Sequence, residues 1–439
     1  MKRTYIKDIS DCLGKKVKIS GWINSRRDHG KLIFIELRDR TGILQIILKS
    51  ENMPFAREIK QEWIVSVEGE IKDRPKGATN SEIKTGEMEM VAQKLEIISR
   101  SPEEQLADLS KKDLNLKLNT LFDNRPFTLR HTKSKAIFKV FKTVLKAYRT
   151  KMEEMEFFEI KTPKIIGTAS EGGANFFTLD YFGKKAYLAQ SPQFYKQMGV
   201  GIFERVFEIG PVFRKEPHFT TRHMNEYISL DAEMGFILSF EDVMDEIEKT
   251  IKFILKKIIE ENKEELKMFD IETIKVKNKI PRIKLCEMRK IIKEKYKYEI
   301  PKETDIDPEG EKLAGKYALE KFDSDLIFLT NYPVKNRPFY TMPSKDNPKE
   351  TESFDLLFRG LEIATGGQRI HKVDQLLANI EKWKLDPKIF KSYLQAFEYG
   401  MPPHGGWGMG CERIVYKTLN LSTVKKASLF PRDVKRLIP

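Results

Sequence analysis

The sequence predicts an α+β protein in two main parts: a small five-stranded barrel over residues 1–104 and, after a hinge over 105–131, a larger mixed domain over 132–439. Three observations lead there. A chain of 439 residues exceeds what one ordinary core holds. Its first hundred residues carry short apolar runs separated by turn residues, the pattern of strands. Beyond residue 131 a long run at helical spacing precedes strands mixed with helices in irregular order, which argues against repeated βαβ units.

The barrel strands read as VKISGWI, KLIFIEL, GILQIIL, EWIVSVEGEI and EMEMVAQKLEII. Alternation in the fourth places Trp63, Val65 and Val67 on one face, as a half-buried strand requires. Five such strands suit a closed barrel of the oligonucleotide-binding type. RPKGATNSEIKTGE carries the Gly, Pro, Asn and Thr of a long exposed loop. The polar, mixed-charge stretch 101–131 reads as a hinge, with a domain boundary near residue 105. KSKAIFKVFKTVLKAYRTKMEEM then predicts a long amphipathic helix with Ile137, Phe138, Phe141, Val144 and Leu145 on or near one stripe. Strand-like pieces follow, from FFEIKTPKI to HGGWGMGCERIVYKT, with helical stretches around 241–259 and 373–399.

No apolar run is long enough to span a bilayer, and MKRTYIKDIS has no apolar stretch behind its basic residues, so no membrane role is expected and the cytoplasm is the expected compartment. Cys12, Cys286 and Cys411 are too far apart to suggest a disulfide framework or a thiolate zinc site. The histidines form no HxxxH or HxH pair, which leaves oxygen-ligated Mg²⁺ as the plausible metal. A net charge of +14 favours a polyanionic partner, although lysine-rich composition alone produces the same imbalance.

The sharpest local signal is VFRKEPHFTTRHMNEYISLDAEM. One strand delivers Arg214 and Glu216, a basic loop holds His218, Arg222 and His223, and a returning strand presents Tyr227, Asp231 and Glu233. Cations and a ring backed by acids suit a triphosphate beside an ammonium-bearing substrate, whereas an isolated R-x-E reads as a solvated hairpin. A second element, GMPPHGGWGMGCERIVYK, runs a Gly-rich strand into a helix beginning near Glu412 and Arg413. Glycines permit close backbone approach, and an arginine forks onto phosphate oxygens. A third, FFEIKTPKIIGTASEGG, follows the long helix and sets Pro163 at the end of a strand. Together, in order, these resemble the three motifs of class II aminoacyl-tRNA synthetases over the region 131–439.

The resemblance implies a catalytic domain on an antiparallel sheet flanked by helices, which fits the lack of a GxGxxG or GxxxxGK[ST] loop. It implies ATP and Mg²⁺ as cosubstrate and metal. Arg214 would hold the α-phosphate, Arg413 would sandwich the adenine, and Arg222 and His223 would sit near the outer phosphates. Tyr227 would stack on the adenine from its other side and Glu216 would accept from its amino group, while Asp355, Glu362 and Thr365 would face the metal and triphosphate. A competing reading pairs Asp355 with Arg359. No protein nucleophile is needed, because the amino-acid carboxylate attacks the α-phosphorus in line.

TASEGGANFF, QSPQFYKQM and GGQRIH resemble the aspartate-specific members. Lys196 and Arg369 would clamp the side-chain carboxylate of L-aspartate, while Ser170, Glu171, Gln193 and Asp231 would complete the amino-acid site. Two desolvated cations beside a neutral amide would lack a counter-charge, which disfavours asparagine. The barrel stretch GWINSRRDHGKLIFIELRDRTGILQIIL resembles bacterial anticodon-reading domains. Phe34 would stack on the middle anticodon base and Gln45 would bond its edge, with Arg26 and Arg27 on backbone or flanking bases. Phe34 equally reads as a core aromatic, and His29 as a turn histidine. His29 and Gly77 resemble relaxed enzymes that charge both tRNA(Asp) and tRNA(Asn), which implies a downstream amidotransferase. NYPVKNRPFYTM and LFPRDVKRLIP resemble instead the compact archaeal and eukaryotic type, so the chain combines two patterns. The subgroup's first motif implies a homodimer. The rival to an enzyme is a non-catalytic nucleic-acid-binding paralogue, from which the joint retention of Arg214, Arg413, Lys196 and Arg369 argues away.

Overall fold

A computed structural model describes residues 1–439 apart from 82, 103, 168–175, 218–219 and 302–304. The chain divides into two units, Met1–Leu118 and Asn119–Pro439.

In the first unit, strands β1 (Lys16–His29), β2 (Leu32–Arg38), β3 (Ile43–Lys49), β4 (Ile64–Asp73) and β5 (Met88–Ser99) close a barrel in the order β1-β2-β3-β5-β4. Only β3 and β5 pair parallel; the other ladders are antiparallel. Alternation decides what lies inside: Ile33, Ile35, Leu37, Leu44, Ile46, Leu48, Val65 and Val67 are all buried in one apolar cluster. A Cβ on Gly69 would stand 2.3 Å from Val91 O, so only glycine fits where β4 kinks against β5. Strand β1 is longer than the run VKISGWI predicts. A register shift between Ile23 and Ser25 carries it on through SRRDH, so Arg26 to His29 lie on strand rather than in a turn.

Among its described residues the second unit contains two sheets. Its smaller one joins β7 (Ile165–Ile166), β9 (Lys184–Leu188) and β8 (Thr178–Tyr181). The larger one adds β6 (Phe158–Glu159), β10 (Arg205–Phe213), β11 (Glu226–Gly235), β12 (Arg282–Lys284), β13 (Leu326–Thr330), β14 (Ser353–Phe358), β15 (Glu362–Arg369) and β16 (His404–Gly410). Their order is β12-β13-β14-β15-β16-β11-β10-β6, antiparallel except for the outermost pair at each edge.

Helices Thr132–Glu154 and Phe240–Glu261 cover this sheet through one core that includes Val140, Val144, Tyr148, Ile247, Ile251, Phe207, Leu230 and Trp407. Ser239 and Asp242 form a capping box at the start of the second helix. The stripe expected on the first helix turns by one position. Ile137, Val140, Val144 and Tyr148 are buried, while Phe138, Phe141 and Leu145 form a half-buried second stripe. The helical stretch expected over 373–399 is broken into Val373–Lys382 and Lys391–Glu398. Pro387 opens a short 3₁₀ turn there, capped by Asp386, because proline cannot donate within a continuing helix.

Candidate active site

The β10–β11 hairpin, β15 and β16 form the floor of a cavity of about 360 Å³ within the second unit. Of the predicted residues, Gln193, Lys196, Arg214, Glu216, Arg222, His223, Tyr227, Asp231, Glu362, Thr365, Arg369 and Arg413 all line it. Ser170, Glu171 and His218 lie outside the described residues. Asp355 is buried behind the lining rather than on it.

At one end, Lys196 Nζ lies 3.0 Å from Asp231 Oδ1 and 3.5 Å from Glu233 Oε2, and it donates to Trp407 O at 2.8 Å. Arg369 Nε donates to Glu233 Oε1 at 2.8 Å, and its Nη2 reaches Gly406 O at 3.0 Å. Burial opposes the charged form of Glu233, but Arg369 and Lys196 outweigh it and hold the carboxyl below its ordinary range. The glycines of β16 have a specific reason here. A Cβ on Gly406 would stand 2.4 Å from Glu233 Oε2 and 2.1 Å from Ala232 O, so the close approach is made by the protein's own carboxylate and backbone.

At the other end, the Arg214 guanidinium lies 5.6 Å from the Tyr227 ring centre and 3.9 Å from Glu216. Asn225 holds this turn by donating from Nδ2 to Arg214 O at 2.7 Å and Glu216 O at 3.2 Å. His223 Nδ1 lies 2.7 Å from Thr220 Oγ1, with Nε2 3.8 Å from Glu216. Arg413 Nη1 donates to Glu362 O at 2.8 Å and lies 3.2 Å from Glu362 Oε1. Burial disfavours the Glu362 carboxylate, yet Arg413 and Arg214 prevail and lower its pKa. Arg222 Nη2 donates to Glu311 Oε1 at 2.6 Å, and Glu311 Oε2 accepts from the Glu362 backbone N at 3.0 Å.

The expected metal ligands divide. Asp355 and Thr365 face each other across β14 and β15, but Arg337 occupies both: Nη2 donates to Asp355 Oδ1 at 2.7 Å and Nη1 to Thr365 Oγ1 at 2.8 Å. Pairing of Asp355 with Arg359 is excluded, because Arg359 lies 3.1 Å from Asp325. Burial raises the pKa of Asp355, and the nearby charge of Glu362 raises it further. Glu362 on the lining and Asp355 behind it, in the grip of Arg337, offer the hard oxygens that suit Mg²⁺, which takes one or two protein carboxylates and completes its shell with water and phosphate oxygens. Among the described residues no group of three His, Cys, Asp or Glu could hold a metal by itself.

The cations of the cavity are therefore paired with acids, among the described residues as Lys196–Asp231, Arg369–Glu233, Arg214–Glu216, Arg222–Glu311, Arg337–Asp355 and Arg413–Glu362. Partners keep buried cations charged and their geometry fixed. Sequence reasoning located most of the cations and placed Glu233 among the acids behind them, but missed Arg337 and Glu311, each joined to its partner only by the fold. It also missed Glu208, whose carboxylate accepts from Thr162 N and Oγ1 at 3.1 and 2.7 Å and so fixes the turn at Pro163.

In the barrel unit, Phe34 lies on the outer face between buried Ile33 and Ile35, which removes the core-aromatic reading. Arg27 sits opposite Phe34 across β1 and β2. The His29 ring meets Phe34 edge-on at 5.5 Å, and His29 pairs with Leu32 as the last residue of β1. Gln45 Oε1 accepts from Arg27 at 3.2 Å while its Nε2 donates to Glu89 at 2.8 Å; Arg26 lies 2.7 Å from Asp28. Gly77 adopts φ +89°, a conformation that favours glycine.

Two family profiles match the chain: "OB-fold nucleic acid binding domain" over residues 17–98 and "tRNA synthetases class II (D, K and N)" over residues 117–434. Aspartate--tRNA(Asp) ligase of Pyrococcus abyssi is 43% identical, with both chains covered in full. Aspartate--tRNA(Asp/Asn) ligase of Thermus thermophilus is 40% identical, again with full coverage of both. Among solved structures, asparaginyl-tRNA synthetase from Pyrococcus horikoshii complexed with asparaginyl-adenylate superposes with a TM-score of 0.91, at 30% identity and full coverage of both chains. With a family profile covering most of its length and relatives above 40% identity end to end, the chain belongs to the class II tRNA synthetases of the D, K and N group.

Proposed function

We propose that the chain activates L-aspartate with ATP, forming aspartyl-adenylate with release of pyrophosphate, and transfers the aspartyl group to tRNA(Asp) and tRNA(Asn) with release of AMP. The observation that carries the amino-acid choice is the charge arrangement around Lys196. The substrate's ammonium draws on Asp231, which leaves Lys196 and Arg369 facing Glu233 alone, two cations against one anion. A side-chain carboxylate balances that excess, and the neutral amide of asparagine does not. The names of the P. abyssi and T. thermophilus relatives, at higher identity than the asparaginyl enzyme of P. horikoshii, favour the same choice. The joint presence of Arg214, Arg413, Lys196 and Arg369 on one cavity supports an enzyme over a non-catalytic paralogue.

ATP would lie toward Arg214, Tyr227, Glu362 and Arg413, with Glu216 toward the adenine and Arg222 and His223 toward the outer phosphates. Arg214 would face the charge that develops as the aspartate carboxylate attacks the α-phosphorus; positioning and neutralisation supply the rate. Glu362 and Asp355 are the residues that would hold Mg²⁺, which supplies further neutralisation of the triphosphate when bound. In the barrel, Phe34 would stack on the middle anticodon base, with Gln45, Arg26 and Arg27 beside it. His29 and Gly77 would tolerate both anticodons, as the Asp/Asn name of the T. thermophilus relative suggests, and an amidotransferase would then act on Asp-tRNA(Asn).

A homodimer fits the edge strand β6, where Phe158 and Phe203 stack at 4.2 Å while 53% and 43% exposed. The cytoplasm is the proposed compartment; among the described residues no helix is long and apolar enough to cross a membrane.

ATP–pyrophosphate exchange tests the amino-acid reading. Aspartate should support exchange and asparagine should not, and Lys196→Ala should raise the KM for aspartate far more than that for ATP. Equal effects on both substrates, or exchange driven by asparagine, would overturn it.

A further inference from the structure

From Gln193, which the resemblance places in the amino-acid site, buried polar side chains with no part in the scheme above run back behind that end of the cavity. Gln193, Gln197, Tyr393 and His404 are 4%, 0%, 3% and 0% exposed. Their hydrogen bonds fix one another's direction. His404 Nδ1 lies 2.9 Å from Pro402 O, and a carbonyl oxygen only accepts, so Nδ1 carries the hydrogen. Burial pushes the imidazolium pKa down to about 4, so the ring is neutral and Nε2 offers a lone pair. Gln197 Nε2, 2.9 Å away, must donate to it. That turns Gln197 Oε1 to the opposite end, where it accepts from Tyr393 OH and from Gln193 Nε2, each at 3.1 Å. Gln193 thus spends an N–H inward, and its carbonyl oxygen is the end left for the cavity it lines.

We propose that this chain of hydrogen bonds, anchored on the Pro402 carbonyl, sets the polarity of Gln193 so that it offers an acceptor to the ammonium group of the amino-acid substrate. His404 and Gln197 are then positioning residues that touch no substrate. An ammonium carries three donors and no acceptor, so a reversed Gln193 would oppose N–H to N–H. The inference rests on the aspartate-activating reading and deepens it by naming what orients the ammonium site.

The test uses the full-length protein as wild type, Gln197→Met and His404→Phe, with the KM for aspartate and for ATP measured by pyrophosphate exchange. Inhibition by succinate is measured alongside, since succinate keeps both carboxylates of aspartate and lacks the ammonium. Losing a hydrogen bond to a charged group should raise the aspartate KM roughly tenfold or more in both variants, with the ATP KM and the succinate Ki within about twofold of wild type. An unchanged aspartate KM would overturn the inference. So would a parallel rise in the aspartate KM and the succinate Ki, which marks a distorted pocket.

Should the variants fail to fold, ¹⁵N NMR of the wild-type His404 ring decides: hydrogen on Nδ1 is expected, and hydrogen on Nε2 would contradict the chain. Failure of the parent reading looks different, because wild type would then show no aspartate-dependent exchange at all.

Discussion

The outer face of the barrel and the cavity of the larger unit use the same materials, arginines beside aromatic rings and acids, in opposite physical settings. On the barrel, Arg26 and Asp28 are 26% and 35% exposed, and such a pair contributes about 0–1 kcal/mol. In the cavity, Lys196 and Glu233 are 2% and 0% exposed, and removing one partner of a buried pair costs about 3–5 kcal/mol. Cavity charges therefore serve stability and chemistry together, whereas barrel charges remain available to a ligand that brings its own phosphates. Substitutions in the two regions should separate accordingly.

The largest separation is expected at Arg214 and Arg413. Either changed to alanine should lower aspartate-dependent exchange by about 10²–10³-fold, roughly 2.7–4 kcal/mol for a comparable preorganised donor, while Arg26→Ala leaves exchange intact. Near-normal exchange in both cavity variants would erase the distinction.

The second contrast is with pH. His404 is neutral and buried, its pKa lowered to about 4 by desolvation, from an ordinary value of 6.5. The unfolded chain takes up this proton first as pH falls. Stability linked to His404 is therefore complete above pH 6.5 and lost as pH drops toward 4, on the order of 3 kcal/mol in all. Denaturant midpoints measured between pH 7 and 4 should fall less steeply in His404→Gln than in wild type. Identical slopes would place the acid sensitivity elsewhere.

The smallest effect belongs to the barrel. Phe34→Ala should weaken tRNA binding by roughly 1–3 kcal/mol, the range for one stacked base, and leave pyrophosphate exchange and melting temperature unchanged. Loss of exchange in that variant would mean that the two regions are not separable.

The same contrast explains what was legible in the sequence. The barrel strands follow from alternation, and Arg27 faces Phe34, as Glu36 faces Gln45, through hairpins of neighbouring strands. Only the length of β1 escaped, because the irregularity after Ile23 breaks the alternation. In the cavity, the arginines and Lys196 stand in recognisable local motifs, but apart from Arg214 with Glu216 their pairings join distant parts of the chain. Arg369 meets Glu233 136 residues away, Arg222 meets Glu311 across 89, and Arg337 reaches Asp355 across 18 from NYPVKNRPFYTM, where no periodicity points it at that carboxylate. Gln197 and His404 lie 207 apart in sequence, and no spacing rule links a glutamine in one helix to a histidine at the start of a strand. The nearness of Thr365 to Asp355 was legible as a strand pair, and the two stand opposite each other; the Arg337 that bonds both arrives only through tertiary structure.

Aminoacylation of separate tRNA(Asp) and tRNA(Asn) transcripts, with aspartate and with asparagine, tests the proposed function most directly. Aspartate should be esterified to both transcripts, with kcat/KM for tRNA(Asn) within about a hundredfold of that for tRNA(Asp), or roughly 2.7 kcal/mol. A wider gap would reject the relaxed specificity, and attachment of asparagine in place of aspartate, or of neither amino acid, would contradict the proposed function itself.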